Sequence, residues 1–111
     1  MIKPISKYYT VLKIEGSLVA EGTSSQPIVF TSFKDDNYGG DSNNDGNTTS
    51  PGNLGEWYNV VFKTGSQTSL KYVNFKYGGF IPLFPFGYDP TQTLKIESGA
   101  SVIQGDGVVV E

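Results

Sequence analysis

Apolar residues in this chain come in short runs, each soon closed off by Gly, Ser, Thr, Asn or Lys. The runs fall at residues 10–14, 17–20, 28–32, 57–63, 70–77, 94–97, 101–103 and 108–110, and they are rich in Val, Ile, Tyr and Phe. Such side chains fit a pleated, half-buried surface, so each run predicts a β-strand. Several alternate with a period of two. Within residues 70–77, Lys71, Val73, Phe75 and Tyr77 share one face, and Leu70, Tyr72, Asn74 and Lys76 share the other. That alternation predicts one continuous strand with a buried side and a wet side. No segment carries a 3.6-residue period, so the expected fold class is all-β.

The chain also repeats itself. Val11-Leu12-Lys13-Ile14-Glu15-Gly16-Ser17-Leu18-Val19-Ala20-Glu21-Gly22 returns loosely as Thr93-Leu94-Lys95-Ile96-Glu97-Ser98-Gly99-Ala100-Ser101-Val102-Ile103-Gln104-Gly105. Pro27-Ile28-Val29-Phe30-Thr31-Ser32 has a rhythm similar to Asn59-Val60-Val61-Phe62-Lys63-Thr64. Short strands repeated with tight corners are the signature of a solenoid, whose coils bury their apolar faces by stacking on one another. Grouped in threes, the strands predict about three coils, over residues 11–32, 57–77 and 94–110, in a single domain spanning 1–111. Two insertions, 33–55 and 78–92, lie between them. The alternative is an antiparallel β-sandwich, which eight short strands allow. Against it, no Asn-Gly type of hairpin turn joins two alternating runs. Long insertions also suit a solenoid, which extrudes loops from a corner without disturbing its stack.

One family resemblance follows from these residues. Gly16-Ser17-Leu18-Val19-Ala20-Glu21-Gly22-Thr23, Gln26-Pro27-Ile28-Val29-Phe30-Thr31-Ser32, the Asp-rich stretch after them, Gly55-Glu56-Trp57 and Tyr72-Val73-Asn74-Phe75-Lys76-Tyr77-Gly78-Gly79 carry it. Together they resemble bacterial right-handed parallel β-helix repeat proteins, secreted or surface-anchored chains with a pectate-lyase-like coil. The resemblance covers roughly residues 11–110 and is most specific over 16–57. It implies a short right-handed parallel β-helix and a mostly non-enzymatic role, because the features used by members with lyase activity are missing. One departure is Tyr58-Asn59, where such proteins usually place small residues after the Trp.

Composition narrows the chemistry. The 111 residues suit one domain with a modest core. There is no Cys, no His and no Arg; all eight basic residues are Lys. These absences exclude thiol nucleophiles, thiolate metal sites and disulfides, imidazole catalysis and ligation, and bidentate guanidinium clamps. A net charge of −3 is a poor match for a nucleic-acid binder. No run approaches the roughly twenty apolar residues that span a bilayer, and no signal-peptide h-region follows Lys3 and Lys7.

Residues 35–46 hold four Asp, three Asn and three Gly in twelve positions. With no apolar periodicity this is a loop, and its oxygens suit a hard cation, calcium above all. Asp41-Ser42-Asn43-Asn44-Asp45-Gly46 matches the opening of an EF-hand loop, D-x-[DN]-x-[DN]-G. Gly52 stands where the closing Glu of that loop belongs, and the flanking helices are missing, so this is not an EF-hand. The expected ligands are Asp35, Asp36, Asp41, Asn43 and Asp45, with Glu56 able to complete the set. Magnesium fits less well, because it keeps its waters. The competing reading is a plain polar loop, since Asp, Asn and Gly are also turn residues. Four crowded carboxylates would then repel one another with no cation between them.

Other features are weaker. Asn47-Thr48-Thr49 fits a glycosylation acceptor. Gly79-Phe80-Ile81-Pro82-Leu83-Phe84-Pro85-Phe86-Gly87-Tyr88 is apolar, yet Pro82 and Pro85 forbid a central strand. It is expected to fold back over its own coil, with an exposed partner-binding patch as the alternative. Asp35 with Asp36, or Glu97 with Asp106, could pair for glycoside hydrolysis, and Lys34 beside Asp35 keeps a lyase base in view. The scattered Thr10, Thr23, Thr31, Thr64 and Thr93 form no ice-binding ladder.

These observations converge on a non-catalytic structural or adhesive module of the cell exterior, stabilised by calcium. The last residues, Val108-Val109-Val110-Glu111, look like a strand with no polar cap, so self-association through the solenoid ends is expected, or a longer parent solenoid. A carbohydrate-binding module, or a degenerate polysaccharide-lyase-like domain, is the alternative. It would present a row of aromatics drawn from Tyr58, Tyr72, Tyr77 and Tyr88 to a polysaccharide. Neither nucleic-acid binding nor membrane insertion is expected.

Overall fold

The computed structural model describes residues 2–3, 12–32, 34–35, 55–81 and 86–111. The structure is all-β. Its strands are β1 (Leu12–Ile14), β2 (Ser17–Glu21), β3 (Ile28–Phe30), β4 (Val60–Phe62), β5 (Gln67–Lys71), β6 (Val73–Phe75), β7 (Phe80–Ile81), β8 (Gly87–Tyr88), β9 (Leu94–Ile96), β10 (Ser101–Gln104) and β11 (Val109–Val110). One 3-10 turn, Pro90–Gln92, precedes β9.

Nine of these strands form three parallel sheets of three strands each, ordered β1-β4-β9, β2-β5-β10 and β3-β6-β11. The chain therefore crosses the three sheets in the same sequence three times, and the middle traverse, β4 to β6, is central in every sheet. Parallel pairing rules out the antiparallel sandwich. The registers align the two repeats found in the sequence: Leu12, Val60 and Leu94 are neighbours, as are Lys13, Val61 and Lys95, and Ile14, Phe62 and Ile96. Ser17, Gln67 and Ser101 head the matching rows of the second sheet. The other expected parallel is corrected. Ile28-Val29-Phe30 lies in the third sheet and Val60-Val61-Phe62 in the first, so their shared rhythm reports burial and not position.

The single strand expected over 70–77 is also corrected. The chain breaks at Tyr72, whose φ of 50° is left-handed. This one residue turns the corner from β5 in the second sheet to β6 in the third. Its amide donates to the Asp106 carbonyl at 2.8 Å, and its carbonyl accepts from the Ile28 amide at 2.9 Å. A one-residue corner shifts the alternation by one, so Leu70 and Val73 both face the core. A side chain at φ > 0 is unusual for a bulky residue. Opposite it, Gly107 has φ 71° and a Cβ there would overlap the Tyr72 ring, so that position accepts only glycine.

The core lies between the three sheets. Ile14, Phe30, Trp57, Val60, Phe62, Leu70, Val73 and Phe75 are buried in one cluster, and Leu12, Leu18, Ala20, Ile28, Leu94, Val102, Val108 and Val110 pack against it. Phe30 stacks on Phe75 with centroids 4.8 Å apart. Burial is deepest in the middle traverse and falls off to either side. The two sides differ, however. On the first-traverse side the edge of β3 is already taken: Ile2 donates to the Val29 carbonyl at 2.7 Å and accepts from the Thr31 amide at 2.9 Å, as a parallel bridge. On the other side no described residue pairs with the outer edges of β9, β10 and β11.

Candidate functional site

The 33–55 insertion leaves the third sheet directly after β3. Thr31 and Ser32 continue that strand into buried positions. Ser32 then closes a tight turn: its hydroxyl accepts from the Lys34 amide at 3.0 Å, and its carbonyl accepts from the Asp35 amide at 3.0 Å. The turn folds Asp35 inward, fully buried, where Oδ2 accepts from the Thr31 hydroxyl at 2.7 Å. The returning stem is fixed as firmly. The Glu56 amide donates to the Tyr77 carbonyl at 2.8 Å, and its buried carboxylate pairs with Lys34 Nζ at 3.1 Å. Trp57 follows at 0 % exposure, with Nε1 donating to the Lys76 carbonyl at 2.7 Å. Both stems are thus pinned to the core and to each other across the Lys34–Glu56 pair.

Of the expected calcium ligands, Asp35 is at this base, and Glu56 stands on the opposite stem. Asp36, Asp41, Asn43 and Asp45 lie outside the described residues, as does the Asn47-Thr48-Thr49 triplet. Among the described residues no three acidic side chains come together to hold a metal. Lys34 pairs with Glu56, which accounts for the cation suggested as a lyase base.

The second insertion is built on Trp57. The Phe80 amide donates to the Trp57 carbonyl at 3.0 Å and the Gly79 amide to the Tyr58 carbonyl at 2.8 Å. A Cβ on Gly78 would stand 2.8 Å from the Trp57 ring, so the close approach needs glycine. β7 and β8 pair antiparallel, a short hairpin rather than a central strand. Phe80 and Phe86 stack with centroids 6.0 Å apart, and Phe86 is 59 % exposed. The base at Gly79 and Phe80 lies against its own traverse and the Phe86 ring meets solvent, while Pro82, Leu83, Phe84 and Pro85 lie outside the described residues. Asp89 then caps the 3-10 turn, accepting from the Thr91 hydroxyl at 2.7 Å and the Thr91 amide at 3.0 Å. These bonds hold its carboxyl below the ordinary value.

The other sequence candidates are separated. Glu97 lies at the corner after β9, where the Thr64 amide donates to it at 3.0 Å and Lys63 Nζ at 3.1 Å. The Thr64 bond first, then Lys63, lower its pKa, and the charge of Lys95 adds to this. A carboxylate held ionised is suited to an ion pair, not to donating a proton. Asp106 is at a different corner, exposed, between β10 and β11. Tyr58, Tyr72, Tyr77 and Tyr88 are each half-buried and form no row on one sheet. Tyr77 shares the left-handed conformation of Tyr72, at φ 65°, and Lys71 and Lys76 lie over the Tyr72 and Tyr77 rings.

Two surfaces stand apart from these residues, and the first of them escaped the sequence reading. On the outer face of the second sheet, Ser69 lies between the exposed Val19 and Ile103. The result is a groove of about 300 Å³ along β5, with Ser17, Gln67 and Ser101 in its lining. The second surface is the open side of the third traverse, where Leu94, Ile96, Gln104 and Val110 line a depression of about 320 Å³ rimmed by Pro90 and Thr91. Among the described residues no helix is long and apolar enough to cross a membrane. No family model matches the chain, and no curated protein or solved structure matches it.

Proposed function

We propose that the chain is a non-catalytic structural or adhesive module of the cell exterior: a short right-handed parallel β-helix of three coils, stabilised by calcium in its 33–55 insertion and able to associate through its ends. One observation carries this reading. Each sheet takes its strands in the same traverse order and in register, and the apolar positions of the three traverses line up between the sheets. On this reading each traverse is a coil, stabilised by its neighbours as in other repeat folds. The right-handed sense follows from the strong preference of parallel crossover connections.

The calcium site would use Asp35, Asp36, Asp41, Asn43 and Asp45. Its anchor is the pinned base, which brings the stems of the insertion together and so lowers the entropy of closing a loop above it. Thermal unfolding with calcium and with excess chelator tests it. A ligand at a hundred times its Kd adds about 2.7 kcal/mol, so the midpoint should rise by roughly 10 °C for a domain of this size. The double variant Asp41→Asn, Asp45→Asn should lose that rise. A midpoint indifferent to both calcium and chelator ends the metal reading.

Polysaccharide binding is the second reading, favoured by the groove along β5. Its hydroxyls and the Gln67 amide suit sugar hydroxyls, and Val19 and Ile103 suit their apolar faces. Titration calorimetry with soluble polysaccharides, repeated on Ser69→Trp, separates the two readings: a filled groove abolishes sugar binding and leaves calcium binding intact.

A further inference from the structure

We propose that the Asp89–Pro90 peptide bond is a self-cleavage site: in acid the Asp89 side-chain carboxylate attacks its own main-chain carbonyl and splits the chain into residues 1–89 and 90–111. It is the one Asp–Pro step in the sequence. Such a step carries its own nucleophile, because a carboxylate acts as one when it is held close to a carbonyl carbon. Its leaving group is also unusual. The Pro90 nitrogen belongs to a tertiary amide with no N–H, and once protonated it departs as a secondary amine.

The fold presents this bond in a fixed and polarised form. Pro90 keeps the residue before it out of the helical region, and Asp89 is extended at φ −144°, ψ 111°. The Asp89 amide donates to the Gly79 carbonyl at 2.8 Å, and the carbonyl of the bond to be broken accepts from the Gln92 amide at 3.0 Å. A Cβ on Gly79 would overlap that carbonyl, so the close approach needs glycine. The Gln92 N–H is aimed at the oxygen on which negative charge develops when the carbonyl is attacked, as in an oxyanion hole. The nucleophile is held as well. The Thr91 hydroxyl and amide both donate to Asp89 Oδ1, leaving Oδ2 as the attacking oxygen. These two bonds, and then the Gln92 side chain, lower the carboxyl pKa, so the carboxylate persists as the solution turns acid. No charged group contributes to that shift, and Tyr88 is the titratable side chain beside Asp89 in the chain. Asp89 and Pro90 are half-buried and Thr91 is exposed, so water and acid reach the bond.

The step balances with acid and water alone. Oδ2 of Asp89 bonds to the Asp89 carbonyl carbon and closes a cyclic anhydride of side chain and main chain. The C–N bond to Pro90 breaks, its electron pair stays on the nitrogen, and a proton from solution completes the secondary amine. Water then opens the anhydride, and Asp89 ends with its side-chain carboxyl and a new terminal carboxyl. Nothing is oxidised or reduced, and the net change is the addition of one water. The cut falls just before β9, yet β9, β10 and β11 stay paired in parallel with β4, β5 and β6. The product is a nicked chain that remains assembled until it is unfolded.

Incubation of the full chain at the lowest pH that keeps its native circular dichroism, read by mass spectrometry under denaturing conditions, tests the proposal. Two fragments, 1–89 and 90–111, should accumulate, while gel filtration without denaturant still shows one species of unchanged size. A parallel sample at the same pH in about 6 M guanidinium chloride keeps the Asp–Pro step and loses its geometry. The native chain should cleave about tenfold faster or more, given that one donor in an evolved oxyanion hole is worth about 10²–10³. Pro90→Ala retains Asp89 and its partners but not the leaving group, and should abolish the cleavage with an unchanged spectrum. Asp89→Ser keeps a capping oxygen and removes the carboxylate, and should abolish it too. A native chain that stays intact, cleavage as fast or faster in guanidinium chloride, or cleavage that survives in either variant overturns the proposal.

Discussion

The core shared by the three traverses predicts that one substitution costs different amounts at equivalent positions. Ile14, Phe62 and Ile96 occupy one inward column, with 8 %, 1 % and 44 % exposure. Ile14→Ala and Ile96→Ala remove the same atoms from the same sheet. At Ile14 the loss includes the transfer energy and a cavity against Phe62, and buried Ile→Ala changes cost about 2–5 kcal/mol. A value of about 3 kcal/mol is expected there. At Ile96 nearly half the side chain already meets water, and solvent fills the space left behind, so the cavity contribution largely vanishes. About 1 kcal/mol of transfer energy remains.

Urea unfolding at low micromolar protein reads the difference. With an m-value of about 1.5 kcal/mol/M, the midpoint should fall by roughly 2 M for Ile14→Ala and by well under 1 M for Ile96→Ala. The slope should not change, because neither variant alters the surface exposed on unfolding. Equal costs at the two sites would refute the reasoning, since Ile96 could not then stand nearly half in water.

Two further outcomes are expected. Thr68 is buried in the column between Leu18 and Val102, and its hydroxyl has no hydrogen-bond partner among the described residues. Thr68→Val keeps the shape and removes that unsatisfied group, so it should stabilise the chain by about 1 kcal/mol in the same urea assay. The pH dependence follows from Glu97 and Asp89, whose folded pKa values lie below their ordinary 4.5 and 3.8. Such groups contribute fully above the unfolded values and lose their contribution as pH falls through the folded ones. Melting points should therefore drop below about pH 4.5, and Glu97→Gln should flatten that drop while lowering the midpoint slightly at pH 7.

Much of the architecture was legible because stacked parallel strands place like residues side by side. The Leu-Lys-Ile-Glu pair at 12–15 and 94–97 could be read as a repeat, and the register places both on the first sheet, flanking β4. The corner at Tyr72 could not be read from alternation, since a corner made by one left-handed residue leaves no glycine or proline in the sequence. The available signal was the spacing of Leu70 and Val73, two buried positions three apart, which a straight strand would send to opposite faces. The similarity of 28–30 to 60–62 misled for a related reason: any strand entering the same core shows the same inward and outward alternation. Of the five expected calcium ligands, Asp35 alone falls among the described residues. The reason Asp35 is buried, its bond to Thr31, depends on a turn closed by Ser32 that spacing alone does not reveal.

In the first sheet the outward residues run in two rows across the traverses, Lys13, Val61, Lys95 and Glu15, Lys63, Glu97, and neither row sets like charges side by side. Repetition supplies strands that stack, and a perfect repeat would stack without limit. Here the middle traverse differs from its neighbours at the outward positions: Val61 stands where they have a lysine, and Lys63 where they have a glutamate. It therefore suits a Leu-Lys-Ile-Glu traverse on either side, whereas two such traverses side by side in the same direction would oppose like charges. The apolar interior is indifferent to this distinction, because Leu12 and Leu94, or Ile14 and Ile96, would pack equally well. Outward charge, worth only about 0.2–1 kcal/mol per opposed pair, decides direction where the core cannot.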